Sequence, residues 1–261
     1  MSERVTIAMD GVVANVRLNR ADKLNALDPA MFEGIEQALA DLRATPGLRA
    51  VVLSGEGRAF SAGLDMASMA SGGASAGKTL TDRTHGIANI FQHVAWGWRE
   101  LPVPVIAAVH GIAFGGGFQI MSGADIRIVH PAARLSIMEM KWGLVPDMAG
   151  IALWRTLVRD DVLRELTYTH REFSGEEALA HGFATRLSDD PHAEAMALAR
   201  TIAAKNPDAV RGAKRLYNAY SDDAERLLMA ESVEQAAVIR TPNQVEAVMA
   251  NMEKRAPRFV D

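Results

Sequence analysis

Residues 101–124 carry no Asp, Glu, Lys or Arg, and this uncharged stretch constrains the fold more than any other segment of the chain. It exceeds the ~20 residues that cross a bilayer, so it is either a membrane helix or a segment buried in a globular core. Its interruptions decide between the two. Pro102 and Pro104 stand near its start, His110 and Gly111 in its middle, and Gly115, Gly116, Gly117 and Gln119 after that. Prolines and successive glycines break a helix, so the stretch reads as a buried strand over 103–109, a glycine turn and then a helix. A strand that is apolar on both faces belongs inside a parallel sheet covered on both sides.

Such a sheet needs a large core. The 261 residues, 49% hydrophobic and 23% charged, supply one without covalent staples, as one large domain or two modest ones. Cysteine is absent, which excludes disulfides, cysteine–zinc sites and thiol nucleophiles. Lys and Arg number 28 against 32 Asp and Glu, a net charge of −4 with no basic stripe, so nucleic acid is not an expected partner. The opening Met1-Ser2-Glu3-Arg4 lacks the layout of a secretory signal. The expectation is a soluble cytoplasmic protein with no membrane partner.

Around residues 101–124 the chain alternates strand and helix signals. Two alternating runs flank Asp10-Gly11 and predict a β-hairpin. Asp28-Pro29 supplies an N-cap and a first-turn proline, and Phe32, Ile35, Leu39 and Leu42 then recur on one helix face. Strands are predicted over 48–53, 103–109 and 126–129, separated by helical patterns, which gives an α/β chain with crossover connections. Ser174-Gly175-Glu176-Glu177 has capping-box spacing, and further helices are predicted to begin near Pro191, Pro207, Ser221 and Pro242. The division expected is an α/β core over 1–190 and a helical part over 191–261, whose exposed faces suit packing on another copy of the chain.

Several patterns carry candidate chemistry. Residues 72–79 match G-x-x-x-x-G-K-T, but no β-branched strand feeds into them, and residues 66–77 read as an Ala/Ser/Gly/Met loop. The seven histidines show no zinc spacing, so no metal is expected, and Gly-x-Ser-x-Gly is absent. Glycine turns at 58–66 and 110–118 end two strands. They permit either close backbone packing or free N–H groups facing a ligand. Glu139, between Met138 and Met140 and near Trp142, is a candidate for a desolvated general base. Asp147 follows Pro146 where a helix is expected to start, so it is either a helix-terminal carboxylate or the second member of a proton-transfer pair.

Together these pieces resemble the crotonase superfamily, the enoyl-CoA hydratase/isomerase family, over essentially the whole chain. The resemblance is carried by Asn19-Arg20-Ala21-Asp22-Lys23-Leu24-Asn25-Ala26-Leu27, by Ala59-Phe60-Ser61-Ala62-Gly63-Leu64-Asp65, by His110-Gly111 with the triple glycine, by Ala124-Asp125-Ile126-Arg127-Ile128 and by Gly143-Leu144-Val145-Pro146. It implies the ClpP/crotonase spiral of ββα units, with C-terminal helices that build a homo-oligomer, a trimer or a dimer of trimers. It implies an acyl-CoA substrate and no cofactor beyond the CoA that the substrate carries. By the family pattern the backbone N–H groups of Leu64 and Gly116 form an oxyanion hole, while Lys23, Leu24, Ala26, Ala62, Asp65 and Met66 line the CoA. Hydratases of the family place a carboxylate at two positions; here the later one is Glu139 and the earlier one is Gln119, whose amide holds water but cannot take its proton. Asp147 falls where dienoyl-CoA isomerases carry an aspartate. The resemblance therefore implies double-bond isomerisation of an unsaturated acyl-CoA through Glu139 and Asp147. Hydration of a 2-enoyl-CoA, with Gln119 helping to hold the water, is the alternative, and a non-catalytic acyl-CoA-binding protein is the alternative from another class.

Overall fold

A computed structural model of the protein describes residues 3–65, 67–68, 80–219 and 241–260. The predicted hairpin is present as strands β1 (Val5–Asp10) and β2 (Val13–Leu18), paired antiparallel with Gly11 at the turn in a left-handed conformation, φ 60°. Helix α1 (Pro29–Ala44) opens as expected: the Asp28 side chain accepts from the Met31 N–H, and Pro29 sits where no amide is needed. Strand β3 (Ala50–Gly55) pairs parallel with β2 and with β4 (Val105–Val109). Between them runs α2 (Ile90–Glu100), closed at its start by a reciprocal Asn89–Gln92 capping box. Strand β6 (Ile126–Val129) and the short β9 (Arg186–Leu187) extend the sheet to the order β1-β2-β3-β4-β6-β9.

Every residue of β3 and β4 is buried, which is why both segments read as continuous apolar runs. Alternation along the strands divides their side chains between two cores. Val51, Leu53, Val105, Ala107 and Val109 face a large core under α1, α2 and the short α3 (Gly116–Ser122). Ala50, Val52, Ile106 and Ala108 face a smaller one covered by Ala195, Met196, Ala199 and Ala203 of α7, defined below. The uncharged stretch 101–124 is thus a buried strand, turn and helix, as expected. Among the described residues no helix is long and apolar enough to cross a membrane.

A second sheet was not foreseen. Strands β5 (Ile112–Phe114), β7 (Arg134–Ser136) and β8 (Phe173–Ser174) form it in the order β5-β7-β8. The remaining helices are α4 (Gly150–Trp154), α5 (Asp160–Thr169), α6 (Gly175–His181), α7 (Pro191–Ala203), α8 (Pro207–Asn218) and α9 (Pro242–Glu253). The capping box at Ser174 opens α6, and helices begin at Pro191, Pro207 and Pro242 as expected. The expected helix near Ser221 and the 66–77 loop with its phosphate-loop-like match at 72–79 lie outside the described residues, save Ala67 and Ser68. Helix α7, on the C-terminal side of residue 190, packs on one face of the sheet across β2, β3, β4 and β6. Helix α8 is tied down by buried Lys214, which donates to the Val103 carbonyl at 2.8 Å and pairs with Asp125 at 2.8 Å. Removing one partner of such a pair leaves an uncompensated buried charge and costs about 3–5 kcal/mol.

Candidate active site

The site lies where the two sheets meet. Beyond β3 the chain runs through residues 59–65 alongside β5, with Ser61 bridged to Ala113. The Ser61 N–H donates to the Ile112 carbonyl at 3.1 Å, and the Phe114 N–H donates to the Ser61 carbonyl at 3.0 Å. On its other side the same segment is pinned to residues 24–27: Ala62 N–H donates to Leu24 O, Leu27 N–H to Gly63 O and Asp65 N–H to Leu27 O. Asn25, with no exposed surface and φ 55°, locks that turn. Its Nδ2 donates to the Glu56 and Ala59 carbonyls, and its Oδ1 accepts from the Arg20 N–H. The positioning role of Asn25 was not singled out from the sequence; an Asn between Leu24 and Ala26 just ahead of Asp28-Pro29 was the available signal.

Close approach accounts for the glycines. A Cβ on Gly63, at φ 85°, would lie 2.6 Å from the Phe114 carbonyl oxygen and 3.6 Å from the Gly116 nitrogen. One on Gly117 would lie 2.6 Å from the Ser61 Cβ. The packing also leaves donors free. Among the described residues the N–H groups of Leu64 and Gly116 have no carbonyl partner, and both residues stand on the wall of an open cleft of about 190 Å³. Gly116 is the first residue of α3, where amides lack intrahelical acceptors. Close packing and free N–H groups, the two open readings of this turn, therefore coexist.

Glu139 faces the same cleft from a 3-10 turn, Glu139–Trp142, that follows β7. It is 7% exposed, and burial pushes its carboxyl above the ordinary range, with Asp147 nearby adding to the rise. Its Oε1 accepts from Gln119 Nε2 at 2.6 Å, whereas its buried Oε2 has no hydrogen-bond partner among the described residues. Gln119 has no exposed surface and does not line the cleft; its Oε1 accepts from the Met148 and Gly150 N–H groups, each at 2.9 Å. Asp147 opens to solvent, yet the protein packed around its carboxyl raises it as well. It caps no helix. Ala149 takes φ 66°, which no helix accommodates, so α4 begins at Gly150, three residues later than the helix start expected at Asp147.

The other expected substrate-binding residues are spread over both sides of the 59–65 segment. Ala62 lines the cleft, and Leu24 and Ala26 lie in the turn bonded to it. Lys23 is exposed at the end of a 3-10 turn, Ala21–Lys23. Asp65 is engaged elsewhere: Arg20 donates to it at 2.6 Å, which holds its carboxyl below the usual range, and the Ala67 and Ser68 N–H groups donate to its other oxygen. Met66 lies outside the described residues. Phe114, Lys141, Trp142 and Glu172 are also on the wall, though nothing in the sequence singled them out as site residues. Among the described residues one trio, Glu36, His85 and His93, could offer three ligand atoms to a cation. Its two imidazoles stack face to face at 4.4 Å and both approach the Glu36 carboxylate, and none of the three lines the cleft.

Residues 9–261 match the family model described as enoyl-CoA hydratase/isomerase. The mitochondrial Delta(3,5)-Delta(2,4)-dienoyl-CoA isomerase of Mus musculus is 31% identical, the alignment covering 99% of this chain and 82% of that protein. The carnitinyl-CoA dehydratase of Salmonella typhi is 31% identical, with 98% of each chain covered. Among solved structures, an enoyl-CoA hydratase from Bacillus anthracis superposes with a TM-score of 0.87 at 28% identity, covering 98% of both chains.

Proposed function

The chain belongs to the enoyl-CoA hydratase/isomerase family, the enzymes of the crotonase superfamily, and on that premise we propose that it isomerises a double bond in an unsaturated acyl-CoA. The thioester oxygen docks against the N–H groups of Leu64 and Gly116. Glu139 removes a proton from the α-carbon, and the electron pair moves onto that oxygen as a dienolate. Two fixed donors stabilise the charge where it develops; losing one such donor typically costs about 3 kcal/mol of barrier. The proton is returned at the distal end of the conjugated system, with Asp147 serving that carbon, so the product differs from the substrate only in the position of the double bonds. Lys23, exposed at the end of its 3-10 turn, meets the CoA phosphates in this reading, and the reaction calls for no cofactor beyond the CoA of the substrate. The exposed Tyr217, Val245, Met249 and Val260 support association of the C-terminal helices into a homo-oligomer, a trimer or dimer of trimers.

The observation that carries this reading is the surroundings of Glu139. Hydration draws on a second carboxylate that holds and activates water, whereas the group bonded to Glu139 is an amide whose oxygen is already occupied by two backbone N–H groups. The reading instead pairs Glu139 with Asp147, whose charge adds to the rise of the Glu139 carboxyl. The test is incubation of the purified protein with a 3-enoyl- or 3,5-dienoyl-CoA and, separately, with crotonyl-CoA. A shift of the double bond in the first, with slow water addition to the second, is expected. Rapid hydration of crotonyl-CoA with no shift in the others would assign hydration instead.

A further inference from the structure

Gln119 is the fully buried amide that separates the two carboxylate-bearing segments. Its Nε2 donates to Glu139 Oε1 at 2.6 Å, and its Oε1 accepts from Met148 and Gly150, just beyond Asp147. Reversing the amide would set its oxygen against a carboxylate oxygen and its NH2 against two N–H groups, so the chemistry admits one orientation. A Cβ on Gly150 would come within 2.7 Å of that same amide oxygen, so the 148–150 backbone lies directly on it.

We infer that Gln119 is a positioning residue that clamps the Glu139 carboxylate by one oxygen and the backbone beside Asp147 by two amides, leaving Glu139 Oε2 as the oxygen that carries the proton. The inference rests on Glu139 being the proton carrier of the proposed reaction. Neither of the other side chains that differ least from Gln supplies this pattern. A Glu at 119 keeps an oxygen for Met148 and Gly150 but sets its second oxygen against Glu139 Oε1, where two ionised carboxylates repel and one must hold a proton. A Met of similar length removes the donor and the acceptor together. The titratable groups facing Glu139 are Asp147 from the segment ahead of α4, and Lys141 and Glu172 on the same cleft wall; none is altered by these substitutions.

The experiment follows the Glu139 carboxyl by 13C NMR in ligand-free protein labelled at glutamate side chains, with the signal assigned from Glu139→Gln. In Gln119→Met the titration is expected to move to higher pH, because a donor that favours the ionised form is gone. kcat on the unsaturated acyl-CoA falls about tenfold with KM within threefold, and the acid limb of the kcat/KM profile, which reports the free enzyme, moves with the NMR titration. In Gln119→Glu the two acids are expected to titrate as a pair, the second proton leaving well above the parent value. This variant keeps the acceptor for Met148 and Gly150, so it answers the question even if Gln119→Met fails to fold. A Glu139 titration unchanged in the folded variants, with kcat within twofold of the parent, would overturn the inference. Failure of the isomerase reading is a separate result: the parent protein would shift no double bond, while the NMR titration would still report on the clamp.

Discussion

One wall of the cleft presents Leu64 and Gly116 through main-chain N–H groups, on segments locked together by Asn25, by the Ser61–Ala113 bridge and by glycines with no room for a Cβ. Another wall presents Glu139 through its side chain, on a 3-10 turn; Asp147 does not line the cleft and lies on the irregular stretch after that turn, a region where Trp142, Leu144 and Val145 stand exposed. In the proposed reaction the first wall polarises the thioester whatever the rest of the substrate, because it meets only an oxygen. In the same proposal the second decides where protons go, and Gln119 bonds to Glu139 and to the backbone beside Asp147. A family with one activating wall and one variable wall can run hydration, dehydration and isomerisation on the same frame. The relatives named as dienoyl-CoA isomerase and carnitinyl-CoA dehydratase fit that division.

The comparison can be broken first at Glu139. Glu139→Gln is expected to lower kcat on a 3-enoyl- or 3,5-dienoyl-CoA by about 10⁴-fold, with KM little changed, measured by steady-state kinetics. In the parent enzyme the raised carboxyl places the acid limb of the rate profile above the ordinary glutamate range, since the base must be ionised to act. Gly63→Ala attacks the first wall. A Cβ at φ 85° against the Phe114 carbonyl should cost about 3 kcal/mol of stability and, by displacing the Leu64 amide, about 10³-fold in kcat. Calorimetry and kinetics check the pair of effects together. Asp147→Asn should slow isomerisation about 10²-fold while exchange of the α-proton with deuterium oxide persists, which separates the distal step from the step at Glu139.

Two smaller effects sharpen the contrast. Burial favours the protonated Glu139, so its contribution to stability is complete below the ordinary carboxylate range and is lost as pH rises through its raised value in the folded protein. Glu139→Gln should therefore raise Tm at pH 7, and the gain should disappear as pH falls to the ordinary carboxylate range. Lys23→Ala, at an exposed position on the main-chain wall's flank, should raise KM for the CoA ester about threefold and leave kcat alone.

The sequence was informative wherever local chemistry decides structure. The Asp28-Pro29 cap, the Ser174 capping box and the apolar run before His110 each form the element their residues imply. It was silent where distant segments decide. Strands β5, β7 and β8 are two or three residues long, too short to show a period, and exist because Gly115 N–H meets Ser136 O and Ala113 lies beside Ser61. Asp147 looked like a helix start because Pro146 precedes it, but the left-handed Ala149 delays α4. The burial of Glu139 and the close backbone approach at the glycine turns were readable from residue type. The bonds of Gln119 to Met148 and Gly150 span long loops and leave no local trace.

The central claim is that one thioester oxygen meets both main-chain amides while Glu139 Oε2 stands beside the α-carbon. A crystal structure with a bound, unreactive acyl-CoA analogue tests it directly. The expected result places the carbonyl oxygen about 2.7–3.1 Å from the nitrogens of both Leu64 and Gly116, with the α-carbon next to Glu139 Oε2. A carbonyl oxygen that reaches neither amide, or an α-carbon facing away from Glu139, would contradict it.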